Sequence, residues 1–330
     1  MLYLKILFFT DTHIRGTTPA NRKDNLVDTL EEKFNEVLDI SNKHNVDYIL
    51  HGGDLFDRPD VSISIVSRFV TILNKFKMPI YIICGNHDIY GHNPDTINRT
   101  MLGLFNSIGT VNLIDENQIV FLKKDDVTVQ LTGQPYIYNI DDNNSLNRYI
   151  INDVDPKADY SIHMVHGMLL DKPFIKGIPY TLIYDIKSTK ADITLSGHYH
   201  SGFGIIKSND KYFVNPGSLI RITNSLKEIE RIPQVVLIDL NDDINIKLIP
   251  LKTALPGEKI LDRKKIETFI FKNERLVQFK QSIDSTVSFE KLDINEVLLE
   301  VSTAEGVAEN VKEEALRRIA SSQMKDLGDD

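Results

Sequence analysis

Five hydrophobic runs in this sequence end in side chains that bind metals or move protons. Asp11-Thr12-His13 follows the run 4–10, Gly52-Gly53-Asp54 follows 46–51, and Gly85-Asn86-His87-Asp88 follows 80–84. His166-Gly167 closes the run 160–165, and Gly197-His198-Tyr199-His200 closes 192–196. Singly these are weak signals, because an Asp at a strand end is often a helix cap and an isolated His is usually a satisfied core or surface group. Five of the nine histidines sit at such ends beside Asp, Asn or Gly, and packing alone does not produce that joint pattern. His44, His51, His92 and His163 read as ordinary residues. An odd separation along one strand turns His163 away from His166.

The chemistry these residues allow is metal binding. Asp11, Asp54, Asn86, His13, His166, His198 and His200 offer two carboxylates, one amide oxygen and four imidazoles. Period-two geometry at a strand end predicts that Asp11 and His13 point the same way, as do His198 and His200. Oxygen and imidazole donors without thiolate suit manganese, iron or zinc better than copper or an iron–sulfur cluster. Manganese is the expected metal, with iron, zinc or magnesium as alternatives. With one carboxylate between them, two divalent ions fit about 3.5–4 Å apart. Asp54, on the central strand, is the expected bridge. Such a pair lowers the pKa of bound water and clamps phosphoryl oxygens, so no serine or cysteine nucleophile is needed. Asn86 is already a donor, which leaves His87 as the acid for the leaving alkoxide.

The elements that must position these groups follow from hydrophobic period. Residues 24–43 place Leu26, Leu30, Phe34, Val37 and Leu38 at helical spacing. After a cap at Asp60 or Ser62, a second helix carries Ile65, Val66, Phe69, Val70, Leu73 and Phe76. The order β, α, β, α, β predicts a parallel sheet. A helix over 94–105 follows, and the short segments 111–114, 118–122 and 127–132 read as antiparallel strands. Hairpins are expected over 203–214 and 235–250.

Composition bounds the rest. The net charge is −9, the wrong sign for coating nucleic acid by bulk electrostatics, so phosphate would have to be drawn by bound cations or a local patch. The single cysteine, Cys84, rules out an intramolecular disulfide and reads as a small core residue. The apolar amino terminus is too short for a signal peptide, and no run approaches the roughly 18 apolar residues of a membrane span. The expected location is cytoplasmic, in host cytoplasm if the source is viral, with no membrane contact.

The motifs Asp11-x-His13, Gly53-Asp54, Gly85-Asn86-His87-Asp88, His166 and Gly197-His198-x-His200 resemble those of the calcineurin-like metallophosphoesterases. The resemblance implies an α/β fold: a four-layer α/β/β/α sandwich over 1–253, with a small α+β cap over 257–330. It also implies that Asp11, His13, Asp54 and His200 hold one metal, and Asp54, Asn86, His166 and His198 the other. Asp-Thr-His, Gly52-Gly53-Asp54-Leu55-Phe56-Asp57 and the C-terminal extension are most similar to the SbcD-type double-strand-break repair nucleases and their phage counterparts. That resemblance implies a DNA exonuclease or endonuclease subunit, homodimeric, working with an SbcC-type coiled-coil ATPase in end processing, repair or recombination. For Asp57 it implies orienting a metal ligand or lining the substrate path, with Arg58 as a substrate contact, although a turn residue before a helix explains Asp57 equally well.

No Gly-x-x-x-x-Gly-Lys-Ser/Thr loop is present, so ATP hydrolysis would belong to another subunit. Residues 258–280 hold seven basic against four acidic residues, as a DNA-facing cap would or as a solvated face would. A strand over 296–302 and a helix over 305–320 complete the reading. A metallophosphatase or cyclic-nucleotide phosphodiesterase of the same fold, and a non-catalytic scaffold, are the rival functions.

Overall fold

A computed structural model describes residues 4–174, 178–223 and 225–285. The chain begins with β1 (Leu4–Phe9), α1 (Leu26–His44), β2 (Tyr48–His51), α2 (Ile63–Leu73) and β3 (Ile80–Ile82). The three strands are parallel neighbours, with Phe8 opposite Leu50 and His51 opposite Ile82. Alternation along β1 does the layering. Leu4, Ile6 and Phe8 face a second sheet, while Leu7 and Phe9 lie beneath the helices. Helix α1 buries Leu26, Leu30, Phe34 and Val37, each worth about 1.5–3 kcal/mol of apolar burial. Asn25 caps its start by accepting the Val27 and Asp28 N–H groups, and left-handed Asn45 ends it. Helix α2 packs Phe69 against Phe34, ring centroids 5.6 Å apart.

The expected helix over 94–105 is broken in two. Pro94–Arg99 forms 3₁₀ turns, and α3 (Met101–Ser107) restarts where the Thr100 hydroxyl accepts the Gly103 N–H at 3.1 Å. The antiparallel reading of 111–132 holds only in part. β4 (Asn112–Leu113) joins the first sheet parallel to β3, and β5 (Ile119–Lys124) pairs antiparallel with β6 (Val127–Gln134). β6 then runs parallel to β7 (Tyr160–Val165). Side-chain alternation is the same in both orientations, so the sequence could not separate them.

A two-stranded ribbon of β8 (Leu169–Leu170) and β9 (Thr181–Leu182) precedes β10 (Ile193–Ser196), β11 (Gly204–Ser208) and β12 (Lys211–Asn215). The second sheet has the order β11-β12-β10-β7-β6-β5. After the short α4 (Lys227–Glu230) come β13 (Gln234–Leu240) and β14 (Ile244–Pro250), which complete the first sheet as β14-β13-β1-β2-β3-β4. Phe8, Leu50, Leu131, Met164, Leu195 and Ile238 pack between the two sheets. The outer face of the second sheet is covered by 3₁₀ turns at Asn143–Arg148 and Ile183–Ile186, over Tyr149, Val165 and Phe213.

The chain divides into compact units Met1–Ile270 and Phe271–Asp330. In the first, α5 (Gly257–Ile260) and the start of α6 (Arg263–Ser285) bury Ile260, Leu261 and Ile266. Leu261 also bridges to Arg22. In the second, α6 continues to 285 with the Arg275 guanidinium 4.7 Å over the Phe271 ring. The expected strand 296–302 and helix 305–320 lie outside the described residues. Among the described residues no helix is long and apolar enough to cross a membrane.

Candidate metal centre

The loops leaving β1 and β2 run side by side and are zipped together by backbone bonds. Asp11 N–H donates to Gly53 O at 3.1 Å, His13 N–H to Asp54 O at 3.0 Å and Ile14 N–H to Leu55 O at 2.8 Å. Asp11 and His13 do converge, but not by strand alternation, because β1 has already ended at Phe9. Both adopt left-handed backbone, φ 53° and 45°, as do Asp54 at 53° and His198 at 71°. Each such residue costs about 1–2 kcal/mol, which the zipped backbone must hold in place. Gly85 leaves room for the carboxylate, since a Cβ there would lie 2.1 Å from Asp54 Oδ1.

The seven predicted donors meet in one place. Asp11, His13, Asp54 and His200 form one group of atoms within 4.8 Å of one another, and Asp54, His166 and His198 form a second. Asn86 joins the second group, its Oδ1 2.9 Å from His198 Nδ1 and 3.2 Å from His166 Nε2. Asp54 is common to both. Its Oδ1 accepts the His87 N–H at 2.8 Å. Its Oδ2 lies 3.3 Å from His166 Nε2 and 3.7 Å from His13 Nε2, yet it is buried with no hydrogen-bond partner.

Electrostatics explain why these atoms remain together. His166 Nδ1 lies 2.7 Å from Gly52 O, and a carbonyl only accepts, so Nδ1 carries the hydrogen and Nε2 turns inward. Burial opposes a charged ring there, but Asp54 and Asp11 prevail and raise His166 to about 9. Burial likewise opposes a charged Asp54, but His166 and His13 outweigh it and hold the carboxyl well below its usual range. Burial pushes Asp11 up to about 7, even though Thr10 Oγ1 and the His198 N–H donate to it. His13, His198 and His200 are held neutral by burial, the last two at about 4 and about 3, which keeps lone pairs available. His13 Nε2 and His200 Nε2 stand 3.0 Å apart, while the Nδ1 atoms of both rings are buried without partners. Neutral imidazoles and carboxylate oxygens crowd around Asp54 Oδ2, whose nearest cationic group is the His166 ring at 3.3 Å. The donor set fits divalent cations.

His87 lies outside these two groups but shares a third with His13 and Asp57, one ligand atom from each within 4.8 Å of the others. Its Nδ1 donates to Asp57 O at 2.8 Å, and its ring meets His13 edge-on at 4.8 Å. Asp57 also places Oδ1 3.6 Å from His13 Nδ1 and Oδ2 3.1 Å from Arg15 Nη1. Arg58 is not brought in, because its exposed side chain reaches Asp60 at 3.4 Å. His51 and His163 are satisfied within the fold, His51 by the Gly53 N–H and His163 by Thr132 and Arg148 O.

Two supporting residues escaped the sequence reading. Asp88 is buried and accepts N–H groups from Gly85 and Phe56, each at 3.0 Å, and from Leu55 at 3.4 Å, which ties the loop after β3 to the loop after β2. Its place directly after His87 was the available signal. Tyr136 lays its ring 6.0 Å from His198 and 6.3 Å from His166, and nothing in its sequence neighbourhood marks it.

The calcineurin-like phosphoesterase family matches residues 4–202, a span that contains every donor described above. The chain belongs to this family. As a calcineurin-like phosphoesterase it is a metal-dependent hydrolase of phosphoesters on a fold that binds a dimetal centre. Curated relatives include the DNA double-strand break repair protein Mre11 of Sulfurisphaera tokodaii, 28% identical over 60% of this chain and 49% of that protein. The double-strand break repair protein MRE11 of Encephalitozoon cuniculi is 24% identical over 80% of this chain and 50% of its own length. The chain thus spans about half the length of these relatives. Among solved structures, a calcineurin-like phosphoesterase from Bacillus subtilis superposes with a TM-score of 0.46 at 16% identity, covering 76% of this chain and 91% of that one.

Proposed function

We propose that this calcineurin-like phosphoesterase is a DNA nuclease that hydrolyses phosphodiester bonds during end processing in repair or recombination. The reading is carried by Asp54 Oδ2, buried without a hydrogen bond between two groups of donors in a chain whose curated relatives are named for DNA double-strand break repair. Asp11, His13, Asp54 and His200 would hold one divalent ion, and Asp54, Asn86, His166 and His198 the other. Manganese suits this oxygen and imidazole set. Bound there, the ions supply Lewis acidity toward phosphoryl oxygens and a nucleophile at neutral pH.

The chain's own residues do the rest. Asp54 is pinned through Oδ1 by the His87 N–H, and its carboxylate would be held by both ions. Asp11 is held by Thr10 and by the His198 N–H, so both carboxylates keep their orientation without substrate. With Nδ1 committed to Asp57 O, the Nε2 of His87 is the atom that carries a proton to the leaving oxygen. A coiled-coil ATPase subunit and a second copy of this chain are the proposed partners.

The test is cleavage of linear and single-stranded DNA by the purified chain with and without manganese, repeated with His87→Ala. Manganese-dependent cleavage that the variant lacks is the expected result. Intact DNA alongside rapid hydrolysis of a bis-aryl phosphodiester would reject DNA as substrate while keeping the phosphoesterase.

A further inference from the structure

Three aromatic rings lead outward from the metal centre, and neither a donor nor the proposed acid is among them. Tyr136 follows β6, and its N–H donates to Cys84 O at 2.9 Å, just before the loop that carries Asn86 and His87. Half-buried, its ring lies 6.0 Å from that of His198, tilted by 33°, and 6.3 Å from that of His166. The ring of His92 stands 5.5 Å from Tyr136, and that of Tyr138 stands 6.5 Å from His92. Exposure rises along the series, with His92 at the surface and Tyr138 69% exposed.

Packing does not require this arrangement. The backbone at Gly91 and His92 is left-handed, φ 56° and 57°, which disfavours a residue with a Cβ such as His92. Among the described residues, no hydrogen bond fixes the side chain of His92 or of Tyr138. A lone exposed aromatic needs no explanation, but a graded series that starts at two donor imidazoles does.

Aromatic faces in such a series suit nucleobases. Every base has a π-face, so stacking on Tyr or His tolerates any sequence. Stacking is also independent of net charge. At −9 the chain offers phosphates little bulk attraction, whereas a base needs none to lie on a ring. We propose that Tyr136, His92 and Tyr138 form a stacking shelf for the unpaired bases next to the scissile phosphate. The inference rests on the nuclease reading above and adds how the strand is held. Bases in a duplex are already covered by their neighbours, so the shelf takes them only where the strand is single.

The test compares equilibrium binding of two single strands of equal length, one of thymidines and one of abasic residues, which share their phosphates and differ in having bases. It uses the full chain carrying His87→Ala, with manganese, so that the strand is not cut. The thymidine strand is expected to bind about 5–150-fold more tightly. His92→Ala combined with Tyr138→Ala should reduce that ratio about fivefold or more, and Tyr138→Trp should retain it. A purely structural change would weaken both strands alike and leave the ratio as it was. Equal affinity for the two strands, or a ratio that survives the double substitution, would overturn the shelf. Cleavage of DNA by the unmodified chain alongside either result would leave the nuclease reading standing. A ratio that the double substitution removes, in a chain that cuts no DNA, would keep the shelf and reject the nuclease.

Discussion

The two sheets contribute unlike halves of the metal centre. The first, with β1, β2 and β3, sends both carboxylates, the amide of Asn86 and one imidazole. The second, with β7 and β10, sends imidazoles only. The halves are also held differently. The carboxylates of Asp11 and Asp54 are pinned by backbone N–H groups from His198 and His87, whereas the ring of His166 is pinned by the carbonyl of Gly52. In the first and third of these contacts the pinning group comes from the opposite sheet's half of the centre. Neither half is formed alone. A site made this way is set by how the two sheets pack, and Asp54, the one donor in both groups, should be the point where damage spreads farthest.

Asp54→Ala is accordingly expected to have the largest effect: loss of both ions by metal analysis, and turnover at background. Retention of one ion would show that Asp54 serves a single donor group. His198→Ala and His200→Ala should divide the centre, each keeping about one ion per chain. Loss of both from either variant would mean that the two donor groups cannot be loaded separately. His87→Ala should keep both ions while kcat falls about 10²–10⁴-fold. Equal metal loss in His87→Ala and Asp54→Ala would end the distinction between donor and acid.

Asp88→Ala leaves three buried N–H groups without an acceptor. It should lower stability by about 2–3 kcal/mol and metal affinity by about 10–100-fold. Unchanged unfolding would show that the loops after β2 and β3 do not need that tie.

The smallest effect concerns His163, buried on β7 three residues before His166. Burial lowers its pKa to about 4, against an ordinary value of 6.5, with the bond to Arg148 O opposing in part. Between those values the unfolded chain binds a proton that the folded chain does not. His163 therefore contributes stability that is complete above about pH 6.5 and is lost as pH falls toward 4. His163→Phe should flatten the stability curve in that window, and an unchanged slope would place the acid sensitivity elsewhere.

The convergence of Asp11, His13, Asp54, Asn86, His166, His198 and His200 was legible in the sequence, because each follows a hydrophobic run whose end is marked by a Gly or a turn. So were α1, α2 and the parallel β1-β2-β3 core, since period and order report burial directly. Less legible were features that depend on partners distant in sequence. Strand orientation at β4 and β6 and the helix break at Thr100 belong to this class. So do the left-handed turns at Asp11 and His13, where alternation along a strand foretold convergence for the wrong reason.

The sequence by itself determined which atoms could bind cations and which runs would carry them. It did so through side-chain chemistry and hydrophobic period, which are local properties. Only the tertiary structure decided that Asp54 Oδ2 lies between two groups of donors without a hydrogen bond, that Asp88 joins two loops and that Lys33 Nζ is buried without a hydrogen-bond partner. Those facts depend on distances between segments far apart in the chain, and such distances exist only once the sheets have packed.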